Sequence, residues 1–216
     1  MPLKMKSILD AVKEAKDKSK KRNFAQSLEL AISLQDVDPK KAGNRIQELI
    51  ELPHPAGKES KICVIASGEM ALKGKRAGAD LVIGRGDLEA LMGDKKKQKE
   101  LAKTYDFFIA EAPLMPLVGK SLGATLGPGG KMPTPVPPTA NIADRIEKNR
   151  KMVFLRMRGQ PVLQCRVGNE NMADEEIAEN IQAVVSRIEG KLKRGIKNVR
   201  SIHLKTAMGT PVKVAM

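Results

Sequence analysis

Three short, uninterrupted apolar runs constrain this chain more than anything else in it: KICVIA (61–66), ADLVIG (79–84) and DFFIAE (106–111). None of them alternates polar with apolar residues, so each reads as a strand buried on both faces, the pattern of a parallel sheet covered by helices on either side. Helix-length stretches separate them, GEMALKGKRAG after the first and GDLEALMGDKKKQKELAKTY after the second. Strand and helix in alternation predict a doubly wound α/β unit over residues 59–150. A further helix at LMPLVGKSLGATL (114–126), interrupted by Pro116, runs into the loop LGPGGKMPTPVPPT (126–139), and a last helix spans Asn141–Arg150.

The two ends of the chain follow a different pattern. Ile8, Leu9, Val12 and Ala15 have helical spacing, ahead of the basic run KDKSKKR (16–22). From Phe24 the period is two: Phe24, Leu28, Leu30, Ile32 and Leu34 share one side, and Gln26 is an exception on that register. RIQELIEL (45–52) fits helix and strand alike, and LPHPAGK (52–58) reads as a stop and a linker. After residue 150, KMVFLRMR and PVLQCRVG look like a hairpin. Residues 173–192 form an amphipathic helix with Ile177, Ile181, Val184, Val185, Ile188 and Leu192 on one face and Asp174 as its cap. NVRSIHLKTAM and TPVKVAM read as closing strands. The simplest architecture is one outer domain, 1–58 with 151–216, into which 59–150 is inserted.

Charge divides along the same line. The chain carries 39 Lys+Arg against 25 Asp+Glu, a net +14; the outer segments hold 24 basic and 14 acidic groups, the insert 15 and 11. Such an excess calls for a polyanion, nucleic acid or an anionic membrane surface. The membrane is the weaker choice, because the N-terminal helix offers only aliphatics and alanines to a bilayer. No apolar run approaches a membrane span, and the N-terminus lacks the apolar core of a secretory signal, so a cytoplasmic protein is expected.

Little in the chain points to catalysis. Cys63 and Cys165 are far apart and each sits in an apolar run, which reads as two buried thiols in strands. His54 and His203 have no ligand grouping around them, so neither a zinc site nor any other metal or cofactor is expected. TLGPGGK (125–131) fails as a phosphate loop, since Thr125 stands at the first glycine, Met132 replaces the hydroxyl residue, and prolines follow where a helix should start. SGEMALKG (67–74) lacks a dinucleotide fingerprint. With five aromatics in all, an RNA contact should lean on phosphates, 2′-hydroxyls and backbone.

The loop and the ends together carry a resemblance. LGPGGKMPTPVP resembles the signature loop of the universal large-subunit ribosomal protein "L one" family. RNFAQSLELAISLQDVDPKK (22–41) is similar to that family's first strand and turn, LPHPAGK to its crossing between domains, and TAMG (206–209) to its closing turn. The likeness covers essentially the whole chain and leans to the archaeal branch. It implies an α/β protein: an α+β outer domain of split β-α-β type built from both chain ends, and an inserted Rossmann-like, three-layer α/β domain. It also implies that RIQELIEL is a strand.

In function the resemblance implies a non-enzymatic, monomeric ribosomal protein that binds large-subunit ribosomal RNA, forms the mobile side stalk, assists release of deacylated tRNA from the exit site, and represses its own messenger. The family's RNA contacts fall on Phe24, Ser27, Glu29, Ser201, Met208 and Gly209. Lys151, Arg158 and Arg166 supply basic groups, and Gly127, Gly129, Gly130, Lys131, Met132 and Pro133 form the tRNA-facing loop. Ala207 departs from the family's Thr, and Asn23 from a basic residue. Thr206 is the nearest hydroxyl to the missing one, although alternation turns it to the opposite face. Ser27, Glu29 and Ser201 suit ribose hydroxyls, and Gly209 lets backbone approach closely.

Overall fold

The computed structural model describes residues 4–39, 46–57, 59–157 and 159–215. It divides into two compact units, Met1–Lys58 with Lys151–Met216, and Glu59–Arg150.

The outer unit is built on an antiparallel sheet of β1 (Ser27–Leu34), β8 (Val162–Asn169), β9 (Val199–Thr206) and β10 (Val212–Val214), in the order β10-β9-β1-β8. β8 and β9 are joined through helix α7 (Asp174–Glu189), and β1 lies between them, antiparallel to both, which is the split β-α-β arrangement. α7 and the N-terminal helix α1 (Met5–Asp17) cover one face. Ile8, Ala11, Val12 and Ala15 on α1, and Ile177, Ile181, Val184, Val185 and Ile188 on α7, meet Leu28, Leu30, Ile32, Leu163, Ile202 and Leu204 of the sheet. Their 3.6- and 2-residue periods bury one face of each element.

Three details of this unit differ from the expectation. Asp174 does not cap α7, where Ala173 holds the cap position; its carboxylate instead accepts from Lys16 Nζ at 2.6 Å, and Lys16 also donates to Met172 O at 2.6 Å, tying α1 to the start of α7. KMVFLRMR and PVLQCRVG are not a hairpin. β7 (Met152–Arg156) pairs with β2 (Gln47–Glu51) in a separate two-stranded sheet, because Gly159, at φ +61°, and Pro161, which has no N–H to give a ladder, redirect the chain before β8. LPHPAGK does lead to the boundary between the units, but its described residues 52–57 are packed: Leu52 and Ala56 are in the outer core, and buried Asn180 takes the His54 N–H on Oδ1 (2.9 Å) while its Nδ2 donates to His54 O (3.0 Å) and Val167 O (2.9 Å).

The inserted unit is a parallel sheet, β4-β3-β5-β6, of β3 (Ile62–Ile65), β4 (Leu81–Ile83), β5 (Phe107–Glu111) and β6 (Thr134–Val136). Helices α2 (Gly68–Arg76) and α6 (Ile142–Arg150) pack one face around Ile62, Val64, Ile109 and Ile146. α3 (Arg85–Ala90), α4 (Lys95–Thr104) and α5 (Met115–Gly129) pack the other around Cys63, Ile65, Phe108 and Leu122. Three layers result. GDLEALMGDKKKQKELAKTY is two helices, split where Asp94 Oδ1 accepts from Lys96 N (3.0 Å) and Lys97 N (3.1 Å). Pro116 does not interrupt α5; it lies in the first turn, where a missing N–H costs nothing.

Candidate nucleic-acid interface

The face of the outer sheet turned away from α1 and α7 carries the polar half of each alternation. On β1 these positions are Ser27, Glu29, Ala31 and Ser33; across the ladders Glu29 pairs with Arg166 on β8 and Lys205 on β9, Ala31 with Gln164 and His203, and Ser33 with Ser201. A carboxylate flanked by two cations on an open sheet suits a partner that offers hydroxyls as well as phosphates.

One end of this sheet is built differently. Gln26, 1% exposed, sends its Nε2 to Ser19 Oγ (2.8 Å) and Lys20 O (3.0 Å), and its Oε1 accepts from Met208 N (3.2 Å). The Thr206 hydroxyl donates to Ser19 Oγ at 3.2 Å, and Ala207 N donates to Ser27 O at 2.9 Å. Buried polar bonds therefore join the end of the basic run, the start of β1 and the turn after β9. Phe24 (50% exposed) and Met208 (64%) project from this junction, beside exposed Lys20, Lys21 and Arg22. Two large apolar side chains exposed beside a buried polar junction have no role in the core.

Residues 13–210 match the model of the "Ribosomal protein L1p/L10e family". Pyrococcus abyssi "Large ribosomal subunit protein uL1" is 48% identical over 215 residues, covering 99% of this chain and 98% of that protein. The same-named proteins of Methanothermobacter thermautotrophicus (47% over 207 residues, 96% and 98%) and Thermofilum pendens (48% over 211, 97% and 93%) agree. The chain belongs to the ribosomal protein L1 family. It is of the archaeal type, and members of this family are structural proteins, not enzymes.

The L1-family positions do not form one cluster. Phe24, Ser27, Glu29, Met208 and Gly209 gather at the Gln26 end. Ser201 lies on the same face but opposite Ser33, four residues along β1 from Glu29, or about 13 Å. Thr206 is withdrawn from the set: it is fully buried, and its hydroxyl is engaged by Ser19, so it offers nothing to a ligand. Lys151 sits at the foot of β7, outside the four-stranded sheet, and Arg158 lies outside the described residues. Arg166 stands on the open face beside Glu29. Two residues outside the expected set, Gln26 and Lys205, belong to this end and face. Gln26 stands out in the sequence as the polar residue on an apolar register, and Lys205 shares the alternation of Ser201.

The L1 signature segment of the inserted unit is only partly a loop, with residues 130–133 in the connection between α5 and β6. Gly127 and Gly129 belong to the last turn of α5, Gly130 closes it at φ +72°, and Pro133 is buried ahead of β6. Lys131 turns inward, donating Nζ to Ala102 O (2.8 Å) and Tyr105 O (2.7 Å) at the end of α4, whereas Met132 is exposed. Among the described residues no group of His, Cys, Asp and Glu could hold a metal, and no helix is long and apolar enough to cross a membrane.

Proposed function

We propose that the outer unit binds large-subunit ribosomal RNA through the Gln26 end and open face of its sheet, and that the chain is thereby a structural constituent of the large ribosomal subunit. One observation carries this reading: Phe24 and Met208 are held outward beside Lys20, Lys21 and Arg22 by a buried polar junction. Side chains cannot enter the deep groove of A-form RNA, so a rigid edge that presents apolar contacts, hydroxyls and backbone suits its shallow groove and riboses. Lysines and arginines add the salt-sensitive share of affinity. The relatives' shared name, large ribosomal subunit protein, supports the assignment.

The family likeness supports two finer roles. In the inserted unit, exposed Met132 and the glycine backbone of 127–130 make a close-approach surface for exit-site tRNA, whose release the side stalk assists. The same RNA-reading end, presented with a similar fold in its own messenger, makes the chain a translational repressor.

The test is a filter-binding comparison of the full chain against large-subunit ribosomal RNA fragments and bulk RNA, with Met208→Glu alongside. A strong preference for one ribosomal fragment, lost in Met208→Glu without loss of melting temperature, supports the reading. Equal retention of both RNAs by the unaltered chain sinks it.

A further inference from the structure

The two-stranded sheet prolongs the open face with a feature the family likeness does not explain. Val153 and Leu155 of β7 turn to the core, while Phe154 between them turns the other way and takes no part in it. Its partner across the ladder is Leu49, itself exposed. Phe154, Arg156, Gln160, Val162 and Gln164 line a groove of about 310 Å³ between β7 and β8. That volume falls at the small end of ligand sites.

We propose that this groove holds one unstacked nucleobase of the bound RNA. The inference rests on the reading of the outer unit as RNA-binding and adds a site to it. An aromatic ring on the outer face of a sheet is a stacking platform for a splayed base. Gln160 and Gln164 each offer an amide donor and an acceptor, the complement of a base's hydrogen-bonding edge. Arg156 supplies positive charge at the groove, and no Asp or Glu is among the residues that line it. Val162 gives the base an apolar wall. The position is also continuous with the open face: Gln164 pairs with Ala31, two residues along β1 from Glu29, so RNA lying on that face reaches the groove within about 7 Å of strand. The groove thus gives a mostly shape-reading surface one place to read a base.

The experiment uses the full chain, a large-subunit ribosomal RNA transcript carrying 4-thiouridine, and a mixed-sequence RNA duplex. Phe154→Leu keeps the apolar volume but removes the ring, and Gln164→Ala alters only an exposed side chain. Both should weaken transcript binding, Phe154→Leu by roughly five- to a hundredfold, the effect of one lost stacked base. Duplex binding and melting temperature should not change. Photo-crosslinking should join an unpaired nucleotide to the 152–164 peptide of the unaltered chain and fail in Phe154→Leu. Wild-type affinity in both variants, or equal loss toward transcript and duplex, overturns the groove while leaving the RNA-binding reading in place. Failure of the unaltered chain to prefer the transcript overturns both.

Discussion

Gly209 and Thr206 are locked together: the Gly209 amide donates to Thr206 O at 3.0 Å, and a Cβ at position 209 would overlap the buried Thr206 hydroxyl. The turn after β9 therefore requires glycine for its own packing. Close approach to a ribose is not needed to explain it.

Gly209→Ala should accordingly lower stability by about 1–3 kcal/mol, the usual cost of overpacking, and weaken binding to every RNA alike as the turn shifts. Thr206→Ala removes the atom that Cβ would strike, so the double variant should recover much of the loss. Thermal melts of the four proteins in the cycle measure the coupling. Additive losses would mean the clash is not what excludes a side chain there.

The two basic runs occupy opposite ends of the sheet. Leu28, next to the first run, pairs with Thr206, and Leu34 pairs with Val199, beside the second; the separation is about 20 Å. Replacing Lys20, Lys21 and Arg22 by alanine should flatten the log–log salt dependence of specific binding by about two, given a slope of about 0.7–0.9 per phosphate. The same change at Lys193, Lys197 and Arg200 should alter it by less than one. Equal flattening would spread the RNA contact over both ends.

Binary patterning gave the parallel sheet, α7 and β1, because burial leaves a period in the residues themselves. It divides the charge between the units but does not tell which charges stand together, since KDKSKKR and KLKRGIKNVR look equivalent until the register of β1 on β9 is known. Gln26 was visible as an exception on an apolar side. Its meaning lay in partners as far away as Met208, 182 positions along the chain. A short Gly/Pro gap signals reversal without naming the partner, so the pairing of β7 with β2 is not legible in it. Pro128 read as part of a loop, yet it fits within the last turn of α5.

Glu48 on β2 accepts from Lys191 Nζ at 2.7 Å and lies 3.4 Å from Arg187 Nη2. The Lys191 hydrogen bond and the two cations hold its carboxyl below the ordinary range, against the opposing effect of burial. A depressed carboxylate contributes stability above its unfolded pKa and loses it as pH falls through the folded value. Glu48→Gln should therefore melt lower than the unaltered chain at neutral pH, by about 0.5–1 kcal/mol, and the difference should close in acid. A gap that stays constant with pH would remove the ion pair as its cause.

Each unit contains one cysteine, and both thiols are buried and free: Cys63 in β3 of the insert and Cys165 in β8 of the outer unit. Burial pushes both up to about 12. At pH 8 the native thiolate fraction is on the order of one in ten thousand, so a thiol reagent reaches either sulfur only when its unit opens. The raised values also mean that stability holds below the ordinary thiol range and declines as pH climbs above it toward 12. Labelling at pH 8 thus reads the opening of each unit separately. Ribosomal RNA bound to the outer sheet should slow Cys165 labelling, because a ligand that binds only the folded unit suppresses its opening. Cys63 labelling should keep its rate. Mass spectrometry of the two cysteine peptides, with and without the RNA fragment, makes the comparison in one sample. Equal protection of both would mean that the RNA also engages the insert or that the chain opens as a single unit, and slowing of Cys63 alone would move the RNA site out of the outer unit.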